Sequence, residues 1–394
     1  MTRIAMVSDS FLPRSGGIEL HIRDLSIHLV KSGHTVDVIS PFAGDASVGD
    51  VGVRQLRVAQ WPRFSFAWTP GAAYKLEAEL RAGDYEVAHH HLSIFSPLTV
   101  ASIGLCLQLG IPTVVTGHSL WRDYARALGW LDRLYSWSTK PLVTSAVSRA
   151  VAADLTPYAG AQAVEHLPNG IDVAFWKAAV RTSRGNADEH RHAFPASNDT
   201  ATPTPVRIIS VLRLARRKRP RVLLDIASRL QERLKGASAF VLQIVGEGDE
   251  RTHLEEIIRD RGLGAHVFLL GALGRAQIRT LFADSDIFVL PTAEEAFGIA
   301  ALEARTAGLP VVAMNTGGVG EIIAHNVEGL LAAVDEELVD HTFALATDGT
   351  LRARIASHNR STTPQDSWPN VVARHEHVYA LAAARLRAFA AQAP

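Results

Sequence analysis

The chain has 394 residues, 47% of them hydrophobic and 20% charged, with forty basic residues balancing forty acidic ones. That length exceeds one ordinary core and sets two domains as the expectation, while the balanced field gives no case for a nucleic-acid partner. No apolar run is long enough to span a bilayer, MTRIAMVSDS enters a strand without a signal-peptide pattern, and the single Cys106 excludes an internal disulfide, so a cytoplasmic protein is expected.

Ile4 to Val7 reads as a first strand, followed by a loop and a helix carrying Ile18, Ile22, Leu25 and Leu29 on one face. Gly33 ends that helix and Thr35 to Ile39 completes a βαβ unit. Gly16 and Gly17 stand at the helix N-terminus, where bare N–H groups suit a phosphate or sugar and equally a plain tight turn. The aromatic and basic stretch WPRFSFAWTP offers a contact for a lipid acceptor or membrane interface, although aromatics of a core are the commoner case. Val87 to His91 reads as a strand whose His89, His90 and His91 alternate faces, so they cannot share one metal; they are expected at a rim. Val114 to Thr116 ends another strand, with Gly117 and His118 at its carboxyl end, the side where ligands bind in open α/β sheets. Leu142 to Val147 is a further strand, and Asn169 and Gly170 in LPNGID read as turn formers.

From Arg181 to Pro205 the composition turns polar and cannot supply a core, which reads as a linker or loop. Val206 to Leu212 opens a second apolar series, followed at once by the densest positive charge of the chain, Arg213 to Arg221. At a strand end in a nucleotide-binding type of fold, Arg and Lys in such a run suit phosphate. Phe240 to Val245 leads to Gly246-Glu247-Gly248, Val267 to Leu270 leads to Gly271, and a helix over Gln277 to Phe282 precedes the next strand.

The stretch DIFVLPTAEEAFGIAALEARTAGLPVVAMNTGGVGE, Asp286 to Glu321, reads as strand, helix, strand. The helix is expected over Phe297 to Ala307, closed by Gly308 and Pro310. Glu294 and Glu295 precede a helix N-terminus suited to an anion such as a diphosphate, and Glu303 follows about two turns on. Carboxylates beside an anion suit hydroxyl groups of a sugar or ribose, and a plain helix charge is the alternative for either one alone. The loop Asn315 to Gly318 lets backbone approach a ligand.

Taken together, Glu295-Ala-Phe-Gly, Glu303-Ala, Gly308-Leu-Pro-Val-Val and Gly317-Gly with Glu321 resemble the signature of retaining family 4 glycosyltransferases (glycosyl transferases group 1). The opening MVSDSFLPRSGGIELHI is similar to the branch of the glycolipid-anchor N-acetylglucosaminyltransferase. The resemblance implies an α/β protein of GT-B fold, two doubly wound Rossmann-like domains facing a central cleft. It divides the chain into 1–175, binding acceptor; a polar segment 176–205; 206–366, binding a nucleotide sugar; and 367–394, a helix packing back on the first domain, with Trp368 between domains. It implies a hexosyltransferase moving GlcNAc, Glc or Man from a UDP- or GDP-sugar to a hydroxyl of a sugar, lipid or glycan, with configuration retained and the departing phosphate as base. Peripheral contact at the inner face of a membrane fits such acceptors.

By the same resemblance His118 approaches the donor sugar, Glu295 contacts it, Arg213 and Lys218 grip the diphosphate, and Glu303 meets the ribose. Gly16, Gly17, Gly246, Gly271, Phe297, Gly298 and Ile299 complete the donor-binding set, with the base near 271–273. No metal or other cofactor is implied, in keeping with the lack of a convincing Asp-x-Asp motif. Two positions depart from the family: Leu212 and Arg219 stand where glycines flank the Arg213 to Lys218 segment, which leaves the backbone path there open. The alternatives are another sugar-nucleotide enzyme of this fold, such as a phosphorylase or epimerase, or a non-catalytic sugar-nucleotide-binding subunit.

Overall fold

Apolar runs rich in Val and Ile form parallel strands, since a parallel sheet has both faces covered by its crossover helices. The computed structural model describes residues 1–12, 16–41, 52–55, 60–61, 64–65, 70–124, 128–129, 132–133, 136–160, 162–178, 205–234 and 240–392. It divides into two units, Met1–Gly170 with Gln365–Pro394, and Ile171–Pro364.

The first unit contains β1 (Arg3–Ser8), β2 (Thr35–Ser40), β3 (Gly52–Gln55) and the short antiparallel pair β4 (Gln60–Trp61) and β5 (Phe64–Ser65). It continues with β6 (Val87–Leu92), β7 (Thr113–Gly117), β8 (Val143–Ala146) and β9 (Glu165–His166). Seven of these strands form one parallel sheet in the order β3-β2-β1-β6-β7-β8-β9. The chain runs outward one way from β1 and then the other, so the topological switch lies between β1 and β6, where a crevice opens beyond the carboxyl ends.

The second unit repeats the plan with β10 (Val206–Val211), β11 (Phe240–Val245), β12 (Val267–Gly271), β13 (Ile287–Leu290), β14 (Val311–Met314) and β15 (Gly329–Ala332). Their parallel order is β12-β11-β10-β13-β14-β15, with the switch between β10 and β13. Its core joins Ile208, Leu242, Ile244, Ile287 and Val289 of the sheet to Leu223, Ile226, Ala227 and Leu230 of the helix Pro220–Leu234.

The terminal helix Trp368–Ala391 belongs to the first unit. Its Trp368, Val371, Val372, Val378 and Tyr379 share a core with Ile22, Leu25 and Leu29 of the helix Gly17–Lys31. Trp368 stacks on His28 with ring centres 4.7 Å apart, and a Cβ at Gly170 would stand 2.3 Å from its ring. Gly170 therefore makes room for an indole beyond any role in a turn, and these partners of Trp368 lie inside the first unit.

Several boundaries differ from expectation for local reasons. The second unit begins at Ile171, ahead of residue 175, because Trp176 is fully buried against Phe282, with ring centres 5.5 Å apart. The helix expected from Phe297 begins at Ile299, since Gly298 sits at φ 95°, outside helical geometry. His89, His90 and His91 are core residues, 0%, 0% and 1% exposed, and the expectation of a rim is corrected. The polar stretch 181–204 and all of WPRFSFAWTP except the backbone of β5 and of the end residues Trp61 and Pro70 lie outside the described residues.

Candidate active site

Four loops leave the carboxyl ends of β10, β11, β13 and β14, and the sequence equips each differently. The loop after β10 carries Arg213, exposed, and ends in a single 3₁₀ turn, Arg216–Lys218. The loop after β13 carries Glu295, four residues ahead of the helix Ile299–Thr306. Because β10 and β13 are neighbours at the switch, these two loops meet: Lys218 Nζ donates to Glu295 Oε2 at 2.6 Å. Both side chains are largely covered, 21% and 17% exposed, so water screens the pair little.

Two further contacts join the same loops. Thr292 Oγ1 donates to the Lys218 carbonyl at 3.3 Å, and Arg219 Nη1 donates to the Pro291 carbonyl at 3.1 Å. Arg219 also pairs with Asp335 at the start of the helix Asp335–Thr347. Its backbone lies at φ 57°, ψ 43°, the left-handed region where glycine is the ordinary occupant. The backbone path expected of a glycine is thus present, and the arginine that takes it ties the basic loop to its neighbour.

Three glycines of these loops serve backbone contact between them. A Cβ at Gly246 would stand 1.8 Å from the Leu212 carbonyl oxygen, at Gly248 2.3 Å from that of Leu214, and at Gly317 2.2 Å from that of Glu295. Gly318 N donates to the Glu295 carbonyl at 2.8 Å, which braces the glutamate loop from the β14 side. At Gly246 and Gly317 the missing side chain makes room for protein backbone. Gly271, at φ 75°, leaves its Cβ position 2.9 Å from Glu247 Oε1. Phe297 is 4% exposed and packs as a core residue, whereas Ile299 is half-buried.

Glu303 lies in the second turn of its helix, 3.6 Å from Arg275, which itself lies over the rings of Phe175 and Trp176 at 5.6 and 5.5 Å. Sequence reading missed Arg275, since nothing near it in the chain points to Glu303; the fold alone brings the two together. It also missed the tether at Arg219, for which a charged residue at a glycine position was the available signal.

In the first unit Gly16 caps the helix Gly17–Lys31, and among the described residues nothing lies within 4 Å of where a Cβ of Gly17 would stand. His118, just past β7, is 8% exposed, and its Nε2 lies 2.9 Å from His91 Nδ1. His89 bonds Tyr379 and Thr116 at 3.0 and 2.6 Å, and His90, on the opposite face, bonds Ser102 at 3.0 Å. Burial pushes His118 down to about 3 and His90 and His375 down to about 4, and holds His21, His89 and His91 well below the ordinary imidazole value. These rings are neutral at pH 7.

Two doubly wound parallel sheets, with a lysine–glutamate pair at the switch point of the second, define the class: an α/β protein of GT-B fold. A family model described as Glycosyltransferase Family 4 matches residues 15–175, and one described as Glycosyl transferases group 1 matches residues 196–362. The chain is 30% identical to a component of the phosphatidylinositol N-acetylglucosaminyltransferase of Homo sapiens, covering 95% of this chain and 75% of that protein. It is 26% identical to the GDP-mannose-dependent alpha-(1-6)-phosphatidylinositol monomannoside mannosyltransferase of Mycobacterium tuberculosis, covering 92% and 96%. Among solved structures, Anabaena Alr3699/HepE in complex with UDP and glucose superposes with a TM-score of 0.74 at 21% identity, over 96% of this chain and 98% of that one. The chain belongs to the family 4 glycosyltransferases, group 1, and is an enzyme of the hexosyltransferase class.

Proposed function

We propose that the enzyme moves a hexosyl group, GlcNAc, Glc or Man, from a UDP- or GDP-sugar to a hydroxyl of a glycolipid or cell-envelope glycan precursor, with retention of anomeric configuration and without a metal in the transfer step. The second unit is assigned the donor and the first the acceptor. The observation that carries this reading is the Lys218–Glu295 pair, 2.6 Å long and held at the switch point between β10 and β13 with Arg213 exposed on the same loop. In this reading an incoming diphosphate competes with Glu295 for the ammonium and releases the carboxylate to accept hydroxyl protons of the sugar.

The difficulty of the reaction is charge: the sugar becomes cationic while the diphosphate gains negative charge. Cations already in place lower that barrier because they need no reorganisation when the bond breaks. The acceptor oxygen bonds to the anomeric carbon on the face the diphosphate leaves, the carbon–oxygen bond to phosphate breaks, and the hydroxyl proton passes to the departing phosphate oxygen. Phosphatidylinositol in the names of two relatives supports a glycolipid acceptor, and UDP with glucose in one structural neighbour supports the donor class. No helix of the described residues is long and apolar enough to cross a membrane, and we place the enzyme in the cytoplasm, with peripheral contact at the membrane's inner face.

The test is nucleoside diphosphate release from a panel of UDP- and GDP-sugars, with lipid and soluble acceptors added in turn and Glu295→Gln alongside. One donor should give acceptor-dependent release, and the variant should keep nucleotide affinity while losing turnover. Product formed without acceptor, or unchanged turnover in the variant, overturns the reading.

A further inference from the structure

We propose that His21, His91 and His118 form a binding site for a divalent transition-metal ion of the Zn²⁺ type, wholly within the first unit. The three residues come from separate elements: the helix Gly17–Lys31, the end of β6, and the residue following β7. One nitrogen of each ring lies within 4.8 Å of the others, and all three side chains are buried. Their ring centres are 5.1, 5.5 and 6.1 Å apart. Three imidazoles on one tetrahedral ion, with Zn–N near 2.1 Å, put their centres roughly 5 Å apart, so small side-chain rotations close the site.

The hydrogen bonding of the cluster points the same way. Nδ1 of His21 is buried and has no hydrogen-bond partner among the described residues, an arrangement a protein interior ordinarily avoids. His91 Nε2 faces Met6 Sδ at 3.3 Å, a weak acceptor that suits an N–H, which leaves the Nδ1 lone pair directed at His118 Nε2, 2.9 Å away. As the bond stands His118 Nε2–H donates; with that proton moved to Nδ1 of His118, an ion between the rings would use a lone pair of each and supply a partner to His21. Neighbouring histidines stay outside the donor set: His89 is occupied by Tyr379 and Thr116, and Nδ1 of His375 bonds the Val371 carbonyl at 2.7 Å.

Three neutral imidazoles without a carboxylate favour Zn²⁺, Co²⁺, Ni²⁺ or Cu²⁺ over Mg²⁺ or Ca²⁺, and three protein ligands leave a fourth position open. The proposal shares His118 with the residues the resemblance gives to the donor sugar, and its readout is metal binding, which requires no turnover.

Full-length protein stripped with a chelator is titrated with Co²⁺ while the visible absorption is recorded, and Zn²⁺ is then added in competition. One equivalent should bind with the intense spectrum of a tetrahedral nitrogen-rich site and be displaced by Zn²⁺. His21→Phe, which keeps a ring beside Trp368, and His118→Gln should each weaken binding at least about 100-fold, while the exposed His253→Ala leaves it unchanged. Circular dichroism and thermal melting establish that the variants fold; should His21→Phe unfold, His118→Gln decides. Absence of saturable binding, an octahedral spectrum, or equal binding by folded His21→Phe and His118→Gln overturns the proposal.

Discussion

The two units share one topology and use their strand ends in opposite ways. At the β10–β13 switch the sequence places charge: Arg213, Lys218, Arg219 and Glu295 on loops that leave the strands polar and partly open. At the carboxyl ends of β6 and β7 it places imidazole, buried and kept neutral by desolvation. Three glycines at the rims differ in the same sense. Gly246 and Gly317 of the second unit are pressed on neighbouring carbonyls, whereas Gly17 of the first has open space beside it among the described residues. A doubly wound sheet supplies the crevice, and the residues at its rim decide what chemistry enters it.

The largest expected effect tests the charged side. Lys218→Ala removes the cation and leaves Glu295 partly buried without it, so transfer should fall about 100-fold or more. Affinity for the nucleoside diphosphate should fall as well, measured by calorimetry; equal affinity would make the basic loop a surface feature. Next comes Gly246→Ala. A Cβ there would stand 1.8 Å from a backbone oxygen at φ 140°, and neither side can yield as a flexible side chain would. The variant should lose roughly 3 kcal/mol of stability in denaturant unfolding. A loss below about 1 kcal/mol would show that the loop shifts freely.

The strands of both sheets were legible because buried parallel strands read as continuous apolar runs with abrupt stops: Phe240–Val245 and Val311–Met314 have the bounds expected. Glu295 and Lys218 were legible as separate residues through their motifs, but their pairing was not, since 77 residues separate them and only the β10–β13 adjacency unites them. The histidines of β6 misled for a physical reason. Polar residues at a strand end read as a rim, yet here Tyr379 from the terminal helix, 290 residues away, bonds His89 and closes over it. Gly170 was legible as glycine, while its reason, the ring of Trp368, lies in a distant segment. Long-range partners were what local pattern could not supply.

Gly17→Ala sharpens the contrast between filled and open glycines. Alanine raises helix propensity at the first helical residue and meets no neighbour among the described residues, so stability should hold or rise by up to about 1 kcal/mol. If the open space receives a phosphate or sugar, the added methyl crowds it at about 1–3 kcal/mol, and transfer should fall roughly tenfold. Unaltered kinetics would reduce Gly16-Gly17 to a turn.

The smallest effect is the most informative about why arginine occupies position 219. Its backbone at φ 57° costs a side-chain-bearing residue about 1–2 kcal/mol relative to glycine. Against that, the guanidinium gains the Pro291 carbonyl and Asp335, the latter pair discounted because Asp335 is 43% exposed. Arg219→Gly removes both the strain and the tether, while glycine's looser unfolded chain offsets part of the relief, so its stability should change by less than about 1 kcal/mol. Arg219→Ala removes the tether and keeps the strain, and should be about 1 kcal/mol less stable than Arg219→Gly. Thermal unfolding of the three proteins separates the contributions. Equal stability of the two variants would mean that the left-handed backbone costs no more than the unfolded-chain entropy that glycine adds. A lower diphosphate affinity in both would then assign the arginine to holding the Lys218 loop against β13, a task that no glycine at this position performs.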